Sequence, residues 1–359
     1  MNTLEAGWRQ NALLTVREMA QADRLSVLAG VSSFELMDNA GAAVAREIER
    51  RWTPRPLVVL CGPGNNGGDG FVTAHRLAEA GWPVRVAMWG DPNALKGEAG
   101  RHAQRWQGKV QALSPAVLDG AQLIVDALFG AGLSRALEGV VLDTLAAAGR
   151  GQAPIIAIDT PSGVMGDTGE ALGAVAAVVT VTFFRKKPGH LLSPGRALCG
   201  EVIVADIGTP DTVFDTIAPF AFENHPALWR ADLPRAEAQE RALQGPGVLI
   251  VHEAPVAYMG DTLSRTRAAA RDRSTVMVVQ GRDTLIAAPD GRAILHPPGL
   301  STTGADDVLN AIIQRLLAQG MPAFSAAAAG VWLHDAAVAE SGPGLQPKDV
   351  PRLLPRLYA

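Results

Sequence analysis

Between residues 57 and about 208, short and nearly unbroken apolar runs alternate with segments whose apolar positions fall three and four apart. The runs Leu57 to Cys61, Val84 to Trp89, Leu123 to Asp126, Ile155 to Asp159, Val175 to Phe183 and Val202 to Ala205 read as strands. Helices are expected between them at 70–80, 94–107 and 137–149. A strand that is apolar on both sides must be covered on both sides, the condition of a parallel sheet flanked by helices. The pattern therefore predicts an α/β fold, a Rossmann-like, doubly wound, mostly parallel sheet. The last two runs lack a helix between them and are expected to form an edge where the parallel pattern ends. Upstream, Leu14 to Ile48 reads as two helices. In the first, Thr15 and Glu18 have the spacing of a capping box, followed by apolar Val16, Met19 and Ala20 and then Asp23. The second opens at Ser32-Ser33 and carries small residues that allow close packing.

The alternation breaks after Gly208. Irregular sequence to about Pro226 and the linker-like Arg230-Ala-Asp-Leu-Pro234 place a domain boundary there, giving domains 1–225 and 226–359. In the second, smaller α/β domain, Val248 to Val251 and Val276 to Val279 read as strands. Thr284 to Leu295 reads as a hairpin around Asp290-Gly291. Helices are expected from Asp307 to Gln319 and from Ala323 to Glu340.

A chain of 359 residues with 48% hydrophobic content can build two cores. Lys and Arg total 32 against 36 Asp and Glu, for a formal charge of −4, and no basic stripe points to nucleic acid. Cys61 and Cys199 are the whole cysteine complement, which suits a reducing compartment better than a disulfide scaffold. No stretch has the length and apolarity of a membrane span, and the first residues lack the apolar core of a signal peptide. The expectation is a cytoplasmic protein acting on a small molecule, with neither nucleic acid nor membrane as partner.

The chemistry concentrates just beyond the strand ends, where open α/β sheets bind their ligands. The stretch Cys61-Gly-Pro-Gly-Asn65-Asn66-Gly67-Gly68-Asp69-Gly70 reads as a glycine-dense turn that brings backbone N–H groups and the start of a helix to an anionic ligand. It lacks the spacing of the dinucleotide fingerprint and the lysine of the phosphate loop. Two further loops begin at an acid that ends a strand: Asp126 followed by Gly130 to Ala136, and Asp159 followed by Pro161-Ser162-Gly163. Together they bring carboxylates, amides and a hydroxyl to one sheet edge, oxygens suited to a hard cation as well as to a polar ligand.

These motifs, in order and spacing, resemble the N-terminal domain of the NAD(P)H-hydrate repair enzymes. The resemblance rests on Leu36-Met-Asp-Asn-Ala-Gly41, Gly62 to Gly70, Val125-Asp-Ala-Leu-Phe-Gly130 and Ile158-Asp-Thr-Pro-Ser-Gly163, continued by Lys187-Pro-Gly189 and Asp206-Ile-Gly208. Asp38 stands where the family has glutamate. The resemblance implies an epimerase that interconverts the R and S forms of hydrated NADH or NADPH. It implies hydrated dinucleotide bound by Asn65, Asn66, Gly67, Gly68 and Asp69 and by Gly130, Ala131, Gly132, Leu133, Ser134, Arg135 and Ala136, with Asp159 at the modified ring. It also implies potassium (K+) held by Asn66, Asp126 and Ser162. Asp159 is the candidate for proton transfer, with orientation of the ring as its alternative role.

From about Gly247 onward the chain resembles the later half of the ribokinase-like, ADP- or ATP-dependent dehydratase fused behind that epimerase. The functional motifs depart from the family's. Gly304-Ala305-Asp306-Asp307 replaces a Gly-Thr/Ser-Gly-Asp anion hole, Gln280 replaces a lysine, and His252-Glu-Ala-Pro255 replaces His-Pro-Gly-Glu. The segment before Gly247 is too short for the dehydratase's first half. A truncated remnant without dehydratase activity is expected, its apolar faces covered by the epimerase domain or by a second subunit of a homo-oligomer. A bifunctional epimerase and dehydratase and a non-catalytic nucleotide-binding scaffold are the alternatives.

Overall fold

The computed structural model describes residues 7–234, 247–252, 261–297, 306–341 and 346–349. Glu253 to Pro255 and Gly304-Ala305 therefore lie outside the described residues. The chain divides into two compact units, Leu14–Ala218 and a second made of Met1–Leu13 with Pro219–Ala359. One helical turn, α1 (Trp8–Asn11), and a short strand, β1 (Ala12–Leu13), lead into the first unit but belong to the second.

The first unit continues with α2 (Val16–Leu28), α3 (Ser33–Arg51), β2 (Leu57–Cys61), α4 (Asn65–Glu79), β3 (Val84–Met88), α5 (Gly97–Ala103) and β4 (Val110–Ala112). Then follow β5 (Leu123–Ala127), α6 (Gly139–Arg150), β6 (Ile155–Ile158), β7 (Val179–Phe183), α7 (Gly195–Cys199) and β8 (Glu201–Ala205). The strands form a seven-stranded sheet in the order β4-β3-β2-β5-β6-β7-β8, parallel throughout. The order reverses between β2 and β5, which opens a crevice at their carboxyl ends.

The β2 sequence explains why helices lie on both faces. Leu57, Val59 and Cys61 join a core with Val44 and Ile48 of α3 and Phe71 and Leu77 of α4. Val58 and Leu60 join a separate core with Val141, Leu145 and Ala148 of α6. A strand buried on both sides cannot alternate apolar with polar, so its run is continuous. The capping box at Thr15 is present, and a second one starts α3, where Ser32 and Glu35 cap each other.

Three expectations need correction. A short helix, α7, does lie between β7 and β8, and β8 pairs parallel to β7, so the parallel pattern runs to the edge. The strand β4 was missed because it is only three residues long and only partly buried. The glycine-dense stretch is mostly helix: α4 begins at Asn65 and contains Gly67, Gly68 and Gly70. None of these glycines has a positive φ. They serve close packing instead. A Cβ on Gly68 would lie 2.6 Å from Met37 Sδ and one on Gly70 2.6 Å from Ala127 Cβ.

The second unit adds β9 (Ala221–Glu223), β10 (Val248–His252), α8 (Thr262–Asp272), β11 (Val276–Gln280), β12 (Thr284–Ala287), β13 (Ala293–His296), α9 (Asp306–Ala318) and α10 (Ala323–Ser341). Its six-stranded mixed sheet runs β1-β9-β13-β12-β11-β10. The hairpin β12-β13 pairs antiparallel around Asp290-Gly291 as expected, with Gly291 at φ 94°. The helix α8 between parallel β10 and β11 was not foreseen. Ala326 to Ala329 are wholly buried in α10, and a Cβ on Gly330 would lie 2.4 Å from Ile313 of α9. The polar groups here serve one another: Asn224 Nδ2 donates to His296 Nδ1 (3.0 Å), and His296 Nε2 donates to Asp335 (2.9 Å). Burial would raise the Asp335 carboxyl, but hydrogen bonds from His296 and His334 hold it at about 2.

Replacing a packing glycine tests this account of α4. A Cβ on Gly67 would fall 1.9 Å from the Gly62 carbonyl oxygen, a backbone atom that cannot turn aside. Gly67→Ala should cost at least about 3 kcal/mol in chemical denaturation. Gly64→Ala, where a Cβ meets nothing within 4 Å, should cost no more than about 1 kcal/mol.

Candidate active site

A cavity of about 660 Å³ opens at the crevice where the strand order reverses. Two helices cover it with one face each. From α2 come Val16, Met19, Ala20 and Asp23, and from α3 come Ser33, Leu36, Met37 and Ala40. Both sets follow the i, i+3, i+4, i+7 spacing that puts residues on one side of a helix. The third wall is the start of α4, with Asn65, Asn66 and Asp69. Its N-cap is Gly64, which supplies no capping side chain, and Gly68 makes the first intrahelical bond. The N–H groups of Asn65, Asn66 and Gly67 thus precede that bond, at the positive end of the helix.

The loops after β2 and β5 touch closely. A Cβ on Gly62 would lie 1.8 Å from the Leu128 carbonyl oxygen. Gly130 is constrained from the cavity side, because its Cβ would lie 2.8 Å from Asp159 Oδ2 and 3.2 Å from Asn66 Oδ1. Glycine at 62 and 130 is what lets the two loops and the two polar side chains share this corner.

Asp159 follows β6 directly. Its N–H still bonds the Val181 carbonyl (2.8 Å), but its φ of 65° turns the chain out of the sheet. Aspartate tolerates this left-handed conformation better than most residues. The carboxylate is fully engaged: Oδ1 accepts from Lys187 Nζ (2.6 Å) and Thr182 Oγ1 (3.0 Å), and Oδ2 from the Ala131 N–H (2.9 Å). Lys187 Nζ also donates to Thr182 Oγ1 (2.8 Å). Burial would raise the Asp159 carboxyl, but the charge and hydrogen bond of Lys187, with the Ala131 N–H, overcome it and hold it at about 2. His190 closes the ring. Its Nδ1 accepts from the Lys187 N–H (2.9 Å), so Nε2 carries the proton and donates to the Asp159 carbonyl (2.8 Å). Burial and the Lys187 charge push His190 down to about 4, leaving it neutral.

Asp126 and Ser162 sit behind the cavity wall. Asp126 is 1% exposed and accepts from Ser162 Oγ (2.6 Å), Ser162 N–H (2.8 Å) and Leu128 N–H (3.3 Å). All three donors are neutral, and burial pushes its carboxyl up. Among the described residues Asn66 Nδ2 is buried without an acceptor.

Of the residues singled out from sequence, Asn65, Asn66, Asp69, Gly130, Ala131, Gly132, Leu133, Ser134, Arg135 and Asp159 line one cavity. Gly67, Gly68 and Ala136 do not. Gly67 and Gly68 face backbone and helix neighbours instead. Asp38 pairs with Arg76 and Arg105. Sequence reasoning missed Lys187 as a partner of Asp159, and it missed Asp23 and the α2 and α3 faces as cavity walls. The helical spacing of Val16, Met19, Ala20 and Asp23 was the available signal. For Lys187 it was a lysine in the loop after a strand neighbouring the one that ends in Asp159.

The ion pair should govern both stability and its acid dependence. Lys187 is 4% exposed at its side chain, so Lys187→Met should leave a buried, uncompensated carboxylate and cost about 3–5 kcal/mol near neutral pH. The sign follows from the depressed folded value. Asp159 contributes stability above its unfolded value of about 4 and loses it as pH falls toward 2. The melting-temperature gap between wild type and Lys187→Met should therefore narrow on acidification.

Residues 33–189 match the family model of the YjeF-related protein N-terminus, and residues 250–354 match that of NAD(P)H-hydrate dehydratase. The bifunctional NAD(P)H-hydrate repair enzyme Nnr of Moorella thermoacetica is 34% identical over 327 residues, covering 85% of this chain and 61% of that protein. This chain thus spans less than two thirds of that bifunctional relative. The NAD(P)H-hydrate epimerase of Rhodobacter capsulatus is 41% identical over 214 residues, covering 55% of this chain and 98% of that enzyme. That of Limosilactobacillus reuteri is 39% identical over 205 residues, covering 55% of this chain and 96% of the enzyme. With nearly the whole of two such enzymes matched by its first part, the chain belongs to the NAD(P)H-hydrate epimerase family and carries a dehydratase-family segment behind the epimerase part.

Proposed function

We propose that the first unit interconverts the R and S forms of hydrated NADH or NADPH. The observation that carries this reading is the part-buried Asp159–Lys187 pair, 2.6 Å apart, in a cavity whose other wall is the uncapped start of a helix. The N–H groups before Gly68 and the loop from Gly130 to Arg135 suit the pyrophosphate of a dinucleotide. The modified ring would then lie toward Asp159.

Inversion at a carbon bearing both a hydroxyl and the ring nitrogen can proceed by loss of the hydroxyl with push from the nitrogen lone pair. Positive charge then spreads over the nitrogen and that carbon. Asp159, held ionised, lies ready to stabilise that charge without reorganising. Its low pKa makes it a poor proton donor at neutral pH, so its service is electrostatic and orienting. Thr182, Lys187 and the Ala131 N–H fix its position.

The donor set Asn66, Asp126 and Ser162 fits potassium on two observations. The Asp126 carboxyl is buried among neutral donors, and the Asn66 amide has a buried end without a partner. Turning that amide over would offer an oxygen instead. These three residues would hold the ion, which would supply a fixed positive charge to the buried Asp126 carboxylate.

The second unit is read as lacking dehydratase activity. Gln280 stands at the end of β11, where the dehydratase pattern has a lysine for phosphate, and Asp306 replaces a glycine of the anion hole. The second-unit fold then persists as a packed body without nucleotide-phosphate contacts.

Three measurements test these readings. Purified protein should interconvert R- and S-hydrated NADH, followed by NMR or chromatography; an unchanged epimer ratio against a protein-free control defeats the epimerase reading. In the same assay, replacing potassium by tetramethylammonium at equal ionic strength should lower both rate and melting temperature. For the second unit, ADP or ATP should not restore the absorbance of reduced nicotinamide from the S form. Nucleotide-dependent recovery would instead establish a bifunctional enzyme.

A further inference from the structure

Inversion through loss and return of a hydroxyl needs a proton for the departing oxygen, and a group to take it back. Asp159 is ionised and spoken for by three donors. Asp69 differs on each count. It lies in the second turn of α4, on the same helix face as Asn65 and Asn66, and lines the cavity while being only 8% exposed. Its backbone carbonyl accepts from Thr73 Oγ1 (2.8 Å), but its carboxyl has no hydrogen-bond partner among the described residues. The flanking Gly68 and Gly70 seat the helix against Met37, Ala99, Cys61 and Ala127, and Asp69 itself lines the cavity.

We propose that Asp69 is the catalytic proton donor and acceptor of this cavity, giving its proton to the hydroxyl that leaves the ring and recovering one from the water that returns. The proposal rests on the epimerase reading above. In the first step the ring-nitrogen lone pair forms the C=N bond as the C–O bond breaks. The C–O electron pair goes to oxygen, which takes the Asp69 proton and departs as water. The carbon is now planar, and rotation about the glycosidic bond presents its other face. Water adds there, the C=N pair returns to nitrogen, and the surplus proton of the added water returns to the Asp69 carboxylate. Atoms and charge balance with no further reactant.

The charges around Asp69 support this division of labour. Burial, aided by the negative charges of Asp159 and Asp23 and opposed by Lys187, pushes its carboxyl well above the usual carboxylate range. Two carboxyls near each other with pKa values driven apart is the arrangement of one acid and one fixed charge. Asp23 too is pushed up by burial, against Lys187.

The test compares wild type with Asp69→Asn in R/S interconversion, with binding of the hydrated cofactor and melting temperature measured alongside. Asparagine keeps the shape and loses the transferable proton. The rate constant kcat should fall by about 10²–10⁴-fold while the dissociation constant moves by no more than about threefold. A variant that retains its rate beside an active wild type overturns the role of Asp69 alone. An inert wild type overturns the epimerase reading and this proposal with it. Should Asp69→Asn fail to fold, Asp69→Ala is assayed with added formate. Rate recovery of about tenfold or more, by a carboxylic acid supplied from solution, supports the proposal, and no recovery defeats it.

Discussion

Lys187 and Asp159 meet almost without solvent, with 4% and 17% of their side chains exposed, and the geometry of the cavity depends on that contact. Taking two charges out of water is costly unless each has its full set of partners, because attraction in the interior only offsets desolvation when hydrogen bonds complete the shell. The surroundings meet that condition. Asp159 receives Lys187, Thr182 and the Ala131 N–H, and His190 ties the backbones of both residues together in its neutral form. Because one of those donors belongs to the loop after β5, the same carboxylate that holds the lysine also fixes the loop lining the cavity. Breaking the pair would loosen the site as well as the fold.

The second constraint is room. The loops after β2 and β5 can approach only because Gly62 presents no side chain to Leu128, and α4 can sit on the sheet only because Gly70 presents none to Cys61 and Ala127. A helix brought this close keeps its starting N–H groups at the sheet edge, beside Asn66 and Asp159. Glycine normally weakens a helix interior by roughly 0.5–1 kcal/mol each. The burial of Phe71, Val72, Ala74 and Leu77 on the same helix supplies compensating apolar contact. The site therefore owes part of its shape to Gly62 and Gly70, which do not line the cavity.

This explains what the sequence disclosed and what it withheld. Continuous apolar runs revealed six of the seven strands of the parallel sheet, and in the four central ones burial on both faces leaves a mark at every position. The three-residue β4 left none. Acids at the carboxyl end of β5 and just after β6 were visible as site candidates because strand ends in such sheets converge on one edge. The glycine-dense stretch read as a turn, whereas the chain uses Gly67, Gly68 and Gly70 for contact distance inside a helix, and composition does not separate the two. The pairing of Lys187 with Asp159 lay deeper still, since it depends on β6 and β7 being neighbours and on a loop folding back after Phe183. In the second unit, β-prone runs around Asp290-Gly291 disclosed the hairpin, while α8 buries Leu263, Thr266 and Ala270 and so presents only one large apolar side chain to read.

The two aspartates on the cavity show how surroundings drive one side-chain type in opposite directions, Asp159 down and Asp69 up. Asp69 is buried and Asp159 largely so, and desolvation pushes both toward the neutral form. What separates them is a single lysine and three hydrogen bonds, all given to Asp159. Once Asp159 is ionised, its charge adds to the penalty on ionising Asp69. The first assignment thus drives the second, and Lys187 sets both. A reaction that creates positive charge on a ring while moving one proton asks for this pairing: a fixed anion to stabilise the charge and a neutral acid to carry the proton. Two ionised carboxylates would leave no donor, and two neutral ones would leave the developing cation unattended.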